Sequence, residues 1–504
     1  MSCLTCHDCG STNLLPSESC LKTIQSSDSL FLQILRRQRP LLDSDHALLT
    51  AEIVELERQQ SVYAAQLEEI QLRRRAVLTV LESRKSVYAP IHRLPRDILI
   101  EIFDDVCDSG WQEKERDVHY SLDVSGPLWV LGRICGFWRD TLHSSPVSWA
   151  RKLVVQQPFS KYAPEILQTY LEHTGEHLLN LQVSCRNSAK DNEIMSLLVQ
   201  SCQRWKNLRI DADKSYMPHF ESISHFPALQ TIDINFYNAH GPTYLSDVCL
   251  GAPQLWQASL RGHGIHQIKL PSGITHFSGC IICPEDLHLL SQLRNLRRCH
   301  LWMKHAMATQ EVPVVTVALT HLYVDRGDTL KFLSAPRLSS LTINPIQLGP
   351  RPSSAQESIT RFLHRSRCHL ESLSIGKAVF TLDTPSRMFA LEACSTISRL
   401  ELELHPQIIN GIVEALTSPS VLPNLHHLIL CLSKPSGDQY DALLHLVRSR
   451  RDAGLLKVVE VQFKAEGYEH YWEEDIQALN GDDFEMRVEK WDPPGRDVYL
   501  RYLP

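Results

Sequence analysis

Apolar residues recur along this chain with three different periods, and each period predicts a different element. Between residues 41 and 88, Leu42, Leu49, Leu56, Tyr63, Ile70 and Val77 return every seven residues. Ile53, Leu67 and Leu81 fill half of the companion row, while His46, Gln60 and Arg74 occupy the other half. Sustained seven-residue spacing marks a coiled-coil seam, and the broken companion row makes it a weak one. Glu and Arg flank it densely, as in Glu52, Glu55, Glu57, Arg73, Arg74 and Arg75. Such a helix either forms a weak homodimer through residues 42–81 or packs back on its own chain. Pro90 ends it.

The second pattern fills residues 89–150. Leu94, Ile98, Leu99, Ile102 and Phe103 fall at helical spacing, and Pro95 suits the first turn of that helix. Leu131, Ile134, Cys135 and Trp138 repeat the design, so two short amphipathic helices are expected. A polar insert, 104–126, separates them. A unit of this size buries too little apolar surface to stand alone, which implies a partner.

After Trp149 the period shortens to that of strands. The recurring unit is an apolar residue, two variable ones, then two apolar residues separated by one, so that alternate side chains share a face. It reads Leu178, Leu181, Val183; Leu229, Ile232, Ile234; and Leu296, Cys299, Leu301. Further copies start at Leu319, Leu338, Leu370, Ile397, Leu425 and Leu456, with weaker ones near Leu153, Leu208 and Leu255. Helical patterns such as 408–416 lie between copies. Strands alternating with helices predict an α/β fold over 151–465, a parallel solenoid, with a doubly wound α/β domain as the alternative. The acidic, aromatic segment 466–504 reads as a C-terminal cap, or as a peptide-binding lip.

Residues 1–40 are polar and hold Cys3, Cys6, His7, Cys9 and Cys20. Cys-x-x-Cys spacing grips zinc, but structural sites draw on two ligand pairs and the second is missing. A disordered tail is the expectation and a metal knuckle the alternative.

Composition narrows the function. The 504 residues are 43% hydrophobic and carry a net charge of −7, which gives no electrostatic case for nucleic acid. No run of eighteen apolar residues appears, so no membrane span is expected. The first residues show no secretory signal, and fifteen scattered cysteines read as buried thiols. A cytoplasmic or nuclear location is the expectation.

Catalytic constellations are missing from the sequence. There is no Gly-rich phosphate loop, no Gly-x-Ser-x-Gly elbow and no His-Glu-x-x-His helix. His300 with His305, and His426 with His427, lack Cys or carboxylate partners at metal spacing. Asp104-Asp105 and Asp482-Asp483 read as solvated loops, and Cys135 as a buried, inert thiol. No catalytic residue, metal ligand or cofactor is assigned. Arg294, Arg297 and Arg298 could receive phosphate, although a solvated strand flank explains them equally well.

Two families are then suggested. Leu94-Pro95, Ile98-Leu99, Ile102-Phe103, Ile134-Cys135-x-x-Trp138-Arg139 and Trp149 resemble the F-box pattern, and the strand units resemble a degenerate leucine-rich repeat. The order of parts is similar to F-box proteins of mushroom-forming fungi. The resemblance implies a leucine-rich-repeat-like solenoid preceded by a coiled-coil-like helix and a small all-α F-box module at 89–150. It implies a non-catalytic subunit of an SCF-type cullin-RING ubiquitin ligase. Leu94, Pro95, Ile98, Leu99, Ile102, Phe103, Leu131, Ile134 and Trp138 would dock on a Skp-type adaptor, and through it on a cullin. A long curved repeat face would hold a target protein whose identity is open. The alternative is a scaffold that uses repeats and helix without ubiquitin.

Overall fold

The computed structural model describes residues 3–5, 12–14, 30–109, 121–185, 192–213, 216–236, 247–262, 265–283, 285–303, 313–344, 352–376, 379, 388–432, 437–463, 473–481 and 483–490. They divide into two compact units, Met1–Pro95 and Arg96–Pro504.

In the first unit Cys3–Thr5 pairs antiparallel with Thr12–Leu14, so part of the expected tail is a small ribbon. Cys6, His7, Cys9 and Cys20, on which the zinc alternative depends, lie outside the described residues. The heptad region is one helix, α1 (Asp43–Ser86), 44 residues long. Asp45 accepts the Leu42 backbone N–H at 3.2 Å and is bridged by Arg39 at 3.0 Å, which fixes the first turn. Arg84 and Lys85 stand in the last turn, where positive charge suits the helix dipole. Pro90–Arg93 follows as a short 3-10 turn.

The second unit begins with four helices, α2 (Arg96–Ser109), α3 (Pro127–Ile134), α4 (Gly136–His143) and α5 (Pro146–Ala150). Two departures from expectation appear. The second sequence helix is broken at Cys135, whose backbone is extended (φ −158°, ψ 169°), so Cys135 is a half-buried hinge residue and not part of a helical face. The start of the insert is helical, because α2 runs on through residues 104–109.

Fourteen strands then form one sheet whose spatial order is the chain order, every strand parallel to its neighbours. They are β1 (Leu153–Gln156), β2 (Leu179–Cys185), β3 (Trp205–Ala212), β4 (Thr231–Phe236), β5 (Gln257–Arg261), β6 (His276–Ile281) and β7 (Arg298–Met303). The sheet continues through β8 (His321–Val324), β9 (Ser340–Ile343), β10 (Ser372–Ile375), β11 (Arg399–Leu404), β12 (His427–Leu432), β13 (Val458–Phe463) and β14 (Glu485–Lys490). Strand order equal to chain order is compatible with a solenoid and differs from the doubly wound alternative, in which the order reverses.

Alternate residues of each strand face helices and 3-10 turns and are buried, as with Cys299 and Leu301, Leu341 and Ile343, or Leu400 and Leu402. Burying a Leu or Ile is worth about 1.5–3 kcal/mol, and these rows join into one continuous core. Three units depart from the sequence reading. In β2 the inward row starts at Leu179, which is fully buried, while Leu178 is 46% exposed, and a register shift at Leu179/Asn180 accounts for the slip. β6 was missed because Gly279 stands where other units carry an apolar side chain. A Cβ there would lie 2.7 Å from the Phe277 ring, which already fills the slot. β14 pairs with β13, so the sheet extends past residue 465 into the segment read as a cap.

The first edge of the sheet is covered. Ser121 donates its backbone N–H to the Val154 carbonyl and accepts the Val154 N–H on Oγ, both at 2.9 Å. Trp129 Nε1 donates to the Ser121 carbonyl at 2.9 Å, so α3 holds this cover in place. An open edge invites pairing with other chains.

Buried cations serve the turns. Arg450, 1% exposed, donates to the carbonyls of Leu416, Ser418 and Leu422 at 2.6–3.1 Å, and also to that of Val421. Leu416 lies in the last turn of the helix Ile409–Thr417, and the other three carbonyls in the turn that follows it. Half-buried Arg365 donates to the Leu330 and Leu333 carbonyls in the same way. Replacing Arg450 with Met keeps the stem and removes its hydrogen bonds to these buried carbonyls. A loss of about 3 kcal/mol is expected, read as a lower urea midpoint; an unchanged midpoint would remove this role.

Candidate functional site

Two surfaces stand out on the second unit. The first lies on α2. Helical spacing separates its apolar residues into two stripes, one of Leu99 and Phe103, both at 0% exposure, and one of Ile98, Ile102 and Val106 at 44, 37 and 43%. Phe103 packs on Trp138 with ring centroids 4.9 Å apart. Leu131 and Trp138 are buried at 8% each, and Leu142 completely. Trp149 donates from Nε1 to the Leu142 carbonyl at 3.1 Å, and Arg139 from Nε to the Gly132 carbonyl at 2.9 Å.

Of the nine residues proposed for adaptor contact, Leu99 and Phe103 are therefore fully buried and Leu131 and Trp138 nearly so. Ile98, Ile102 and Ile134 are exposed, the last at 53%. Leu94 is half-buried and Pro95 exposed, both in the first unit. Val106 and Val130, at 43 and 45%, were missed by motif matching. Val106 lies four residues beyond Ile102, which is the signal that would have found it.

The second surface is the open face of the sheet, opposite the helices. Parallel register sets its residues in rows across strands. One row runs Gln257, His276, Arg298, His321, Ser340. The next runs Ser259, Ser278, His300, Tyr323, Thr342. Small hydroxyl residues on either side of His300 and Tyr323 leave a depression there, lined by His276, Arg298, His300, His321 and Tyr323 and by no carboxylate among the described residues. The His300 and Tyr323 rings meet edge to face at 4.0 Å, and Trp256 packs on His276 at 4.9 Å. Farther along, the face turns acidic, with Glu401 and Glu403 on β11, Glu460 on β13 and Glu485 and Glu489 on β14.

Burial pushes His300 down to about 3. His276 and His321 are lowered too, first by burial and then by the charge of Arg298. All three are neutral near pH 7, so the depression offers a guanidinium, imidazole nitrogens and aromatic edges. That set suits an anionic or hydrogen-bonding group. Arg297 and Arg298 reach this rim together with Trp256 and Thr320. His305 lies outside the described residues. His427 faces Glu460 at 3.0 Å and Arg399 at 3.2 Å, an interstrand polar ladder.

A third cluster brings His266, Cys283 and Asp286 within 4.8 Å of one another. Asp286 is fully buried. One carboxylate oxygen accepts the backbone N–H groups of Ile282 and Cys283 at 2.9 and 3.1 Å, and the other pairs with His266 Nδ1 at 2.8 Å. Burial and the Asp286 charge push the Cys283 thiol up to about 12, so it stays protonated. The cluster ties the turn Ile265–Gln267 to the helix Glu285–Gln292 and is satisfied by its own hydrogen bonds.

Among the described residues no helix is long and apolar enough to cross a membrane. Compared with models of known protein families and with curated proteins, the chain matches none.

The histidine shift sets a pH dependence. His300 titrates near 6.5 when unfolded and about 3 when folded, so its contribution is complete above pH 6.5 and is lost as pH falls, by about 1.4 kcal/mol per unit. Asp325, raised by burial to about 6 from 3.8, works in the opposite sense: its contribution is present below pH 3.8 and lost as pH rises towards 6. Between pH 6 and 4 the two offset. His300→Gln is expected to gain stability relative to wild type on acidification across this window, and Asp325→Asn to lose it, in urea unfolding at each pH. Parallel curves for all three proteins would overturn the assignment.

Proposed function

We propose that the chain is an F-box protein with degenerate leucine-rich repeats, the substrate-recognition subunit of an SCF-type cullin-RING ubiquitin ligase. The observation that carries this reading is the set of exposed apolar residues Ile98 and Ile102 on α2, whose other face is anchored by Leu99 and Phe103, and Ile134 on α3, anchored by Leu131. A Skp-type adaptor would cover that set. The sheet's open face would hold the target, with the Arg298 depression taking an anionic side chain. The role is one of proximity, with the transfer chemistry on other subunits. A scaffold without ubiquitin is the second reading, favoured by the long exposed helix α1.

Adaptor binding separates the two. The full chain co-expressed with a Skp-type adaptor is expected to give a one-to-one complex by size-exclusion chromatography with light scattering. Ile98→Asp with Ile102→Asp should weaken it by about 100-fold while circular dichroism stays unchanged. Phe103→Ala should instead destabilise the protein by about 3–5 kcal/mol, as a buried aromatic does. Separate elution of the folded wild type and the adaptor would sink the receptor reading and leave the scaffold.

A further inference from the structure

We propose that α1 forms an antiparallel two-stranded coiled coil with a second copy of this chain. The first observation is exposure. Ile53, Leu56, Tyr63, Leu67, Ile70 and Val77 are all 43–66% exposed along a helix of 44 residues, about 66 Å at 1.5 Å per residue. Helices in water draw their stability from packing an apolar face, and these residues of α1 are exposed.

Charge decides what covers it. Residues 43–58 hold Asp43, Asp45, Glu52, Glu55 and Glu57 against Arg58, a net −4; residues 73–85 hold Arg73, Arg74, Arg75, Arg84 and Lys85 against Glu82, a net +4. Glu55 and Glu69 are engaged within the helix by Arg58 and Arg73. Glu52, Glu57, Arg74 and Arg75 make no ion pair among the described residues. A helix that is acidic at one end and basic at the other repels a parallel copy along its whole length and attracts an antiparallel one.

The seam agrees. In a parallel, in-register pair Arg74 would meet Arg74 and Gln60 would meet Gln60 at the core. Reversing one helix about residue 65, within half a residue of the centre of α1, sets Arg74 against the second copy's Leu56 and Gln60 against its Ile70. It sets Leu67 against the second copy's Tyr63. Gln60 and Arg74 then each face an apolar residue, His46 meets the second copy's Arg84 at the helix ends, and Arg74 lies beside the second copy's Glu57, where its stem packs and its charge is answered. The inference stands apart from adaptor binding, since it uses only residues 43–86.

The test uses the full chain in sedimentation velocity. Wild type is expected to dimerise, more weakly as salt rises. Glu52→Lys, Glu55→Lys and Glu57→Lys in one chain should weaken the dimer by at least about tenfold, as should Arg73→Glu, Arg74→Glu and Arg75→Glu in another. All six together should restore it to within about threefold of wild type. Such rescue cannot come from misfolding. In a parallel dimer, reversing one end leaves like charges facing like, and no triple variant would weaken it. A monomeric wild type at about 100 μM, triple variants as tight as wild type, or a sixfold variant that stays monomeric would each overturn the proposal.

Discussion

The parallel ladder is the constraint on which the second unit depends. A strand of four to eight residues has no partner within its own repeat, so its N–H and C=O groups are satisfied only by the strands before and after. Pairing fixes register, and because side chains alternate, register fixes which residues reach the core. Leu322, Leu341, Leu373, Leu400 and Leu428 therefore fall into one buried row. The same register sets His276, Arg298 and His321 side by side on the opposite face. The grouping on that face is a by-product of pairing, since residues more than twenty positions apart in sequence become neighbours about 4.8 Å apart.

Repetition also multiplies groups that need partners, as at the turns that carry the Leu333 and Leu422 carbonyls. The protein answers with long side chains from the next repeat. Arg450 and Arg365 reach back to turns about thirty residues earlier in the chain, and Asp286 gathers backbone N–H groups and a histidine in the same way. Arg450 is held by carbonyl dipoles and not by an opposite charge, and Asp286 by backbone N–H groups and an imidazole. The hydrogen bonds thus replace solvent where a bare ion would be costly. The first edge needs its own answer, and Ser121 supplies it by pairing with Val154.

Much of this was legible in the sequence, and the failures have physical reasons. Period seven gave α1, and the spaced aliphatic triplets gave the inward rows of most strands. β6 escaped because Phe277 fills two slots and lets Gly279 stand in one. Leu178 was misassigned because a bulge is a property of pairing, and pairing is absent from a linear pattern. On α2 the motif marked the right helix but merged two stripes, since Leu99 and Phe103 differ from Ile98 and Ile102 only in direction. The depression around His300 was not legible, because its walls come from separate repeats whose registry had to be built first.

Single exposed apolar residues are ordinary on a protein surface, whereas the two exposed sets here are ordered. On α2, Ile98, Ile102 and Val106 repeat every four residues, and the helix beneath them is fixed by Phe103 against Trp138 and by Asp104 bridged to Arg151 at 3.1 Å. A stripe held on a rigid element costs a partner little ordering entropy on binding. On α1 the stripe runs the length of a helix whose apolar residues are exposed among the described residues, so its own order depends on being covered. Covering α2 would change what the protein holds, while covering α1 would change how firmly that helix is held. The two surfaces therefore make separate demands on partners, and substitutions in one should leave occupancy of the other unchanged.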